Sequence, residues 1–445
     1  MVIPRRDKVV YGLGAFGYGS VNQTLGNFLM FFGTGVLGLS GTLMGLALGI
    51  STVWDAVTDP LVGSLSDRCR SRLGRRHPFM LVGCLGVAVV NLLIWHINPG
   101  WPVVTKFGAL LLGLLAIETF NTVYSTPYSA LGFDLCHDYH ERTSIQGFKT
   151  AFQSAALMVP SVLLSIVLAP REYVTLHTTT RGYQIIAVIT STLCLLTSLF
   201  TILGTRRYRQ TTMPPVTNAP QPSLIKVFGQ IIRDKNNVFL MVAYAVALSC
   251  SALITTLGMH LFTYTFHFSS LQIPIVMACL VIGIIGSQPL WCQLSTRFGK
   301  KDTVRMALCV VIVGAVVFSF LLMFRGRFAT SVLVWLVAIN ILVISAGVGC
   351  IYSLPISMFA DNLRAENTAL GTGLLTFCTK CTNALVTMLV GVLLDVIGFA
   401  SGVATQTPFV CTALGWLLVG GVVLAALVAG VLFSKYQDKM QPQVV

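Results

Sequence analysis

The chain has 445 residues, of which 55% are hydrophobic and only 10% are charged. A soluble domain usually has about a quarter of its residues charged, so a fully soluble protein is excluded. The net charge of +14 is spread as in membrane proteins, with most Lys and Arg in alternate loops and at the termini. Only five lie in the intervening loops: Lys106, Arg171, Arg181, Arg325 and Arg327. This positive-inside pattern predicts cytoplasmic termini and argues against a nucleic-acid partner.

In chain order, long apolar runs predict twelve membrane-spanning helices, each near the ~20 residues that a bilayer requires. The predicted limits are 9–38, 42–66, 79–98, 104–132, 144–169, 183–204, 237–266, 271–294, 303–324, 331–359, 368–397 and 408–433. The chain leads directly into a long first span, so we expect no cleavable signal peptide.

The long polar segment between the sixth and seventh spans is rich in proline, which is typical of a linker. We therefore predict a six-helix bundle in 1–204, a cytoplasmic linker in 205–236 and a second six-helix bundle in 237–445. Apolar residues at helical spacing predict a short amphipathic helix at the cytoplasmic face near the end of the linker. They are Leu224, Ile225, Phe228, Ile231 and Ile232.

The two predicted halves repeat one pattern after their second spans. In the first half, Asp59-Pro60 precedes a basic loop at 72–76. In the second half, Gln288-Pro289 precedes a basic loop at 297–301. Such an internal repeat is expected when two bundles rock about a central binding site.

Two carboxylates, Asp55 and Asp59, stand one helical turn apart within the second predicted span. One carboxylate near the bilayer midplane costs about 3 kcal/mol on insertion scales. Two at positions i and i+4 share a face and repel each other. A chain keeps such a pair where a metal ion, a proton or a basic side chain lies between them. The pair therefore indicates ion-coupled transport.

The loop from Gly63 to Arg76 resembles the loop between the second and third helices of the major facilitator superfamily, although basic charge there would also serve as a topology signal. Finer motifs resemble the melibiose-permease-like glycoside–pentoside–hexuronide:cation symporter family. They are Tyr11 to Gly17, Trp54-Asp55-Ala56 with Asp59-Pro60, Thr126 to Gly132, and Asp138 to Thr143. The resemblance covers the first 150 residues strongly and beyond them rests on the two-fold layout and Lys380. It implies an all-α membrane protein of the major facilitator fold, with twelve transmembrane helices in two pseudo-symmetric six-helix bundles.

In that family the two acids of the second helix form the cation site. The resemblance therefore implies that Asp55 and Asp59 bind Na⁺ or H⁺, with help from the hydroxyl groups of Thr58 and Thr122. Oxygen ligands suit a sodium ion, and a carboxylate pair can instead share one proton. Alternatively, both acids form internal salt bridges with Lys380, which lies in the core of span eleven. The two arrangements can alternate, with Lys380 holding the acids when no cation is bound.

The sequence departs from the family pattern where the sugar is held. The resemblance would place aspartates near Gly19 and Ser125, and neither is present. Their loss argues against a galactoside. A different acid, Glu118, shares a helix face with Thr122 and Ser125. It either contacts the substrate, carries a proton or is paired locally.

The remaining candidates are polar or aromatic residues at plausible depths, for each of which packing is the alternative explanation. The predicted substrate-binding residues are Tyr18, Trp54, Glu118, Tyr124, Ser125, Tyr128, Lys149, Tyr352 and Lys380. The predicted gate residues are Asp67, Arg68, Arg75 and Arg142, and we expect Asp395 to be an external-gate contact.

No motif supports catalysis: there is no Walker-type phosphate loop, and the twelve cysteines form no predicted disulfide framework or metal site. We therefore expect a monomeric secondary transporter in a cell membrane (plasma or inner) that couples Na⁺ or H⁺ to symport of a small polar solute, first a sugar or glycoside. We expect no other cofactor. A lysolipid symporter of the same family shares the Trp-Asp-Ala and Asp-Pro pattern, so a lipid-like cargo stays open. A non-transporting sensor or assembly factor is the third alternative, although three buried charges argue against it.

Overall fold

The computed structural model describes residues 3–69, 71, 73–135, 139–168, 180–208, 229, 233–269, 271–362, 368–403 and 405–437, and all regular structure in these ranges is helical. We number the long helices in chain order: α1 Arg5–Phe31, α2 Gly41–Arg68, α3 His77–Trp95, α4 Val103–Asp134, α5 Tyr139–Ala156 with Val159–Leu163, α6 Thr180–Gly204, α7 Lys235–His260, α8 Ile273–Gly286 with Gln288–Phe298, α9 Lys300–Met323, α10 Thr330–Asp361, α11 Thr368–Val396 and α12 Pro408–Lys435.

By length and hydropathy, ten helices in the described ranges could cross a membrane, and they correspond to α3 through α12. The other two, α1 with 27 residues and α2 with 28, are as long but less apolar. Each is about 40 Å long at 1.5 Å per residue, which exceeds the ~30 Å hydrocarbon core of a bilayer. Hydropathy alone thus does not confirm the predicted count of twelve spans, but the arrangement fits it.

Backbone packing divides the chain into two compact units. The first comprises Met1–Thr217, Ser269–Pro274 and Gly391–Gln406, and the second comprises Asn218–Phe268, Ile275–Val390 and Thr407–Val445. In the first unit α1 packs against α5 and α6, α3 packs against α4 and α6, and α2 packs against α4. In the second unit α9 packs against α10 and α12, and α7 packs against the same two helices. The predicted domain boundaries stay a prediction, and the predicted amphipathic helix lies outside the described residues.

Proline coincides with a break in α5 and in α8, but not in α4 and α10. The breaks in α5 and α8 come just before Pro160 and Pro289, because proline has no N–H to donate to the preceding turn. By contrast, α4 and α10 continue through Pro127 and Pro355. Neighbouring helices and local adjustments can satisfy the freed carbonyl groups in a membrane helix. The second pair of prolines occupies the fourth helix of each half, which extends the repeat predicted from the sequence.

The ends of α1 and α7 share an uncommon backbone geometry. Each continues as a five-residue π-helix, Phe32–Val36 after α1 and Leu261–Thr265 after α7. Two residues beyond each π-helix the chain adopts a positive φ, 67° at Gly38 and 54° at His267. The repeat between the two halves therefore extends to backbone conformation, with glycine in one copy and a side chain that tolerates the left-handed region in the other.

We predict that two glycine-to-alanine substitutions have opposite effects. A Cβ atom added at Gly26 or at Gly38 would meet no other atom within 4 Å, so neither change creates a clash. Gly38→Ala should destabilise the protein by about 1 kcal/mol, because alanine is strained at positive φ. Gly26→Ala should stabilise it by roughly 0.5 kcal/mol, because Gly26 is helical. Thermal unfolding of the purified variants measures both, and shifts of the same sign would contradict the backbone argument.

Candidate functional site

Two hydrogen bonds join α2 to α4 beside the acid pair. The indole N–H of Trp54 donates to the hydroxyl of Thr119 over 2.9 Å. One residue further along α2, Asp55 Oδ1 accepts a hydrogen bond of 2.8 Å from the hydroxyl of Thr122. Because Thr119 and Thr122 lie three residues apart on α4, they share a helix face. The two contacts together fix the register of α2 on α4 at the level of the carboxylates.

The acids themselves lie at the edge of the buried face of α2. The side chains of Asp55 and Asp59 are half-buried, and Thr58 between them is buried. The Thr58 hydroxyl donates to the backbone carbonyl of Asp55 over 3.1 Å, a common local bond in helices. Its proton is therefore used within α2, while its oxygen lone pairs can still accept or coordinate. The structure thus brings Asp55 and Thr122 into direct contact, with Thr58 and Asp59 on the adjoining turn.

Carboxylate and hydroxyl oxygens are the ligands that hard cations prefer. Within the described ranges, no group of three or more His, Cys, Asp or Glu residues could hold a metal ion. Asp55 and Asp59 would each offer a carboxylate to a cation bound beside them, and the hydroxyl oxygens of Thr58 and Thr122 lie on the same side. Such a set suits a monovalent cation, or a single proton shared between the acids.

Four tyrosines pack α1 against α4, and the two on α4 are close in sequence to Thr122. The rings of Tyr11 and Tyr128 stack with centroids 4.7 Å apart, and those of Tyr124 and Tyr128 stack at 5.6 Å. Tyr18 packs against both α4 rings. Tyr124 and Tyr128 have no exposed surface and donate their hydroxyl protons to backbone carbonyls of Gly14 and Tyr11. Tyr18, Tyr124 and Tyr128 thus pack α1 against α4, and their predicted contact with the substrate stays a prediction.

Lys149 on α5 occupies a different environment. Its ammonium group donates to the hydroxyl of Ser129 over 2.9 Å and lies 5.6 Å from the centre of the Tyr128 ring. The side chain is half-buried. No carboxylate of the described residues lies within ion-pair distance of it. A partly buried ammonium with a hydroxyl and an aromatic face, but no acid, is arranged to receive an anionic partner.

The other predicted substrate residues are distributed over both units. Glu118 and Ser125 are half-buried on α4 of the first unit. In the second unit, the hydroxyl of Tyr352 lies 2.7 Å from that of Ser251. Lys380 is half-buried on α11 and also belongs to the second unit. Its predicted pairing with Asp55 and Asp59 stays a prediction.

The basic loops that follow α2 and α8 show different pairings in the two halves. In the first, Arg76 donates to the hydroxyl of Ser66 over 3.0 Å. The predicted gate residue Arg75 is half-buried, whereas the side chains of Asp67, Arg68 and Arg142 lie outside what the structure describes. In the second half, Lys300 forms an ion pair with Asp361 and donates to Ser357 over 2.8 Å.

Asp395 anchors the beginning of α2. Its two carboxylate oxygens accept hydrogen bonds from the backbone N–H groups of Gly41 and Thr42, both over 2.8 Å. These are free donors of the first helical turn, where negative charge is also favoured by the helix dipole. A side chain at Gly391, one turn earlier on α11, would collide with the backbone of Gly41. The segment Gly391–Gln406 therefore packs closely on the start of the acid-bearing helix within the first unit.

Three polar residues of α4 were not identified from the sequence. Thr119 and Ser129 are ordinary span residues until the structure places them against Trp54 and Lys149. Asn121, adjacent to Thr122, has a buried amide oxygen that accepts no hydrogen bond from any described residue. Asparagine is uncommon in the middle of a span, and this polarity is the signal that would have identified it.

Comparison with protein families matches residues 10–437 to the family described as "MFS/sugar transport protein". A "Putative glycoside/cation symporter" of Escherichia coli K12 is 33% identical over 163 residues, which cover 36% of this chain and 35% of that protein. The chain aligns with only about a third of the length of this and other bacterial symporters.

Two further relatives align over most of their length. A "Putative sulfoquinovose importer" of Salmonella typhimurium is 26% identical and is matched over 98% of this chain and 90% of its own. The "Sodium-dependent lysophosphatidylcholine symporter 1" of Mus musculus is 24% identical, over 80% of this chain and 69% of its own. Among solved structures, an inward-facing bacterial homologue of the iron transporter ferroportin superposes with a TM-score of 0.69 at 13% identity, covering 97% of this chain and 98% of its own. This last likeness supports the fold alone.

We predict that Asp395 stabilises the folded protein through its contact with α2. Asp395→Ala should cost about 1–2 kcal/mol, because two N–H groups of the first helical turn lose their acceptor. Asp395→Asn keeps an acceptor oxygen but loses the charge, so its cost should be smaller. In thermal unfolding, the melting temperature should be highest for the wild type, lower for Asp395→Asn and lowest for Asp395→Ala. Equal stability of all three would show that the contact contributes nothing.

Proposed function

The chain belongs to the MFS/sugar transport protein family, and from this membership we propose that it is a secondary active transporter that moves a small polar solute together with Na⁺ or H⁺. The observation that carries the proposal is the contact between Asp55 and Thr122, beside Asp59 on the next turn of α2. The proposed mechanism is symport by alternating access. The proposed topology places both termini in the cytoplasm. No chemical transformation of the solute is part of the proposal.

The coupling step follows from the charge of the acid pair. Without a cation, two carboxylates at i and i+4 repel each other in a poorly screened environment. A bound Na⁺ or H⁺ removes this repulsion, and the Thr122 hydroxyl transmits the change to α4. Because α4 also supplies Ser129, the partner of Lys149, the cation site and the proposed solute site share one helix. Cation binding can therefore organise the solute site.

Lys149 narrows the class of solute. The family resemblance would place sugar-holding aspartates near Gly19 and Ser125, and neither is present. Lys149 also has no carboxylate partner among the described residues. A sugar that carries a carboxylate, sulfonate or phosphate would supply the missing negative charge. We therefore propose an anionic sugar or glycoside as the solute. The relative described as a "Putative sulfoquinovose importer" supports this choice.

A lysolipid is the second candidate, because one specific observation also favours it. Lys149 would bind the phosphate of a lysolipid as readily as a sugar sulfonate. A relative of this chain over 80% of its length is named as a sodium-dependent lysophosphatidylcholine symporter. The two candidates differ in the length of their apolar part, so a binding panel that contains both separates them.

We predict that Na⁺ raises the melting temperature of the purified protein at neutral pH and that Asp55→Asn or Asp59→Asn abolishes this shift. A ligand that binds only the folded state at 100 times its Kd adds about 2.7 kcal/mol of stability. Asp302→Asn is the matched control, because Asp302 is an exposed acid at the start of α9. If the cation is H⁺, the response to Na⁺ is flat and solute binding instead depends on pH through the same two acids. A full Na⁺ response in both site variants would contradict the proposed site.

We predict that Lys149→Gln weakens binding of an anionic sugar by about tenfold or more, as expected for loss of a charge-assisted hydrogen bond. Binding of the corresponding neutral sugar should change much less. Lys149→Arg, which keeps the charge, should retain most of the preference for the anionic over the neutral sugar. The Na⁺-dependent thermal shift should survive in Lys149→Gln, so this test is separate from that of the cation site. An unchanged preference for the anionic sugar in Lys149→Gln would exclude the proposed role.

A further inference from the structure

A cavity of about 400 Å³ lies in the second unit, at the end of α9 and the start of α12. Two apolar cavities in the same unit measure only about 20 Å³ and 10 Å³, close to the space of a single water molecule. The larger cavity falls within the range of small-molecule sites, which is roughly 300–1,000 Å³. It is lined by Leu322, Met323, Arg325, Gly326, Thr412 and Trp416.

The guanidinium of Arg325 gives this cavity its charge. The side chain is half-buried and makes two hydrogen bonds, to the carbonyl of Leu322 over 3.3 Å and to the hydroxyl of Thr412 over 3.1 Å. A guanidinium has five N–H donors, so three have no partner among the described residues. No described carboxylate lies within ion-pair distance of Arg325. The two bonds hold the group in place, and the remaining donors can receive an anion.

The cavity has a polar end and an apolar end. Arg325 and Gly326 lie in the short turn that follows α9, at the end of a membrane-spanning helix. Trp416 lies eight residues into α12, which places it about 12 Å from the start of that helix. The headgroup layer on each side of a bilayer is only roughly 6 Å thick. With the start of α12 at the headgroup level, the cavity would reach from the headgroups to the first carbons of the acyl chains.

Exposed aromatic side chains surround the same membrane level. Phe320 and Phe324 at the end of α9 and Phe409 at the start of α12 are all exposed, as is Trp416. Aromatic residues concentrate where a membrane protein meets the headgroup layer. An inorganic anion would use only the polar end, whereas a phospholipid would use both ends.

We propose that this cavity binds the phosphate of a phospholipid, with Arg325 as the phosphate ligand. Arginine binds phosphate through two parallel N–H donors, which matches the donors left over after the bonds to Leu322 and Thr412. The apolar side chains of Leu322, Met323 and Trp416 would then contact the glycerol and the first acyl carbons. This site is independent of the acid pair and of Lys149, so it does not rest on the proposed transport function.

Native mass spectrometry of the detergent-solubilised full chain tests the proposal. The probe is dioleoyl phosphatidylglycerol, and dioleoylglycerol, with the same chains but no phosphate, is the matched lipid control. Arg325→Gln should weaken phosphatidylglycerol binding by about tenfold. Arg327→Gln removes an equal charge two residues away, where the guanidinium lies over the Phe324 ring outside the cavity, and it should leave binding unchanged.

Three results would overturn the proposal. The first is a loss of phosphatidylglycerol binding in Arg327→Gln equal to that in Arg325→Gln. The second is binding of dioleoylglycerol as tight as that of phosphatidylglycerol. The third is displacement of the lipid by millimolar inorganic phosphate, which would make free phosphate the ligand. The melting temperature of each variant without lipid confirms that it is folded. If Arg325→Gln does not fold, Arg325→Lys decides: it keeps the charge but loses the paired donors, and wild-type affinity in that variant would contradict a phosphate held by the guanidinium.

Discussion

The hydrogen bond from Thr122 to Asp55 is the contact on which the functional account depends. It lies where α2 carries two carboxylates into a region that should be poorly hydrated, and a charge there must be neutralised or well hydrogen-bonded. The adjacent bond from Trp54 to Thr119 fixes the same two helices in register. A change in the charge of Asp55 therefore acts directly on a contact with α4. Asp59 lies on the next turn of α2, and this arrangement is the physical basis proposed for coupling.

The two halves share a helical architecture, but the acidic residues of the first half have an uncharged counterpart in the second. Gln288-Pro289 occupies the place in α8 that Asp59-Pro60 occupies in α2. The Gln288 amide donates to the backbone carbonyls of Gly349 and Ile284, over 2.9 and 3.2 Å. This amide joins α8 to α10 without a buried charge, so the position serves packing in the second half. The repeat thus explains the fold, and the departure from it identifies the half that carries the acids.

The sequence predicted the helical membrane fold and the family, and both are confirmed by the all-helical structure and the family match. These features depend on local hydropathy and short motifs. The roles of single residues depend on packing, which periodicity does not encode. Trp54 and Tyr128 are both predicted to contact the substrate. In the structure Trp54 donates its N–H to Thr119, and Tyr128 is fully buried. That no acid among the described residues pairs with Lys149 could be recognised only once α4 and α5 were placed together.

The most direct test of the central claim is solute uptake into proteoliposomes with and without an imposed cation gradient. The Asp55→Asn, Asp59→Asn double variant should lose concentrative uptake, because nothing remains to bind the coupling cation. It should still exchange labelled for unlabelled solute across the membrane, since the proposed solute site at Lys149 is unchanged. Full gradient-driven accumulation by the double variant would contradict the assignment of Asp55 and Asp59 as the coupling site.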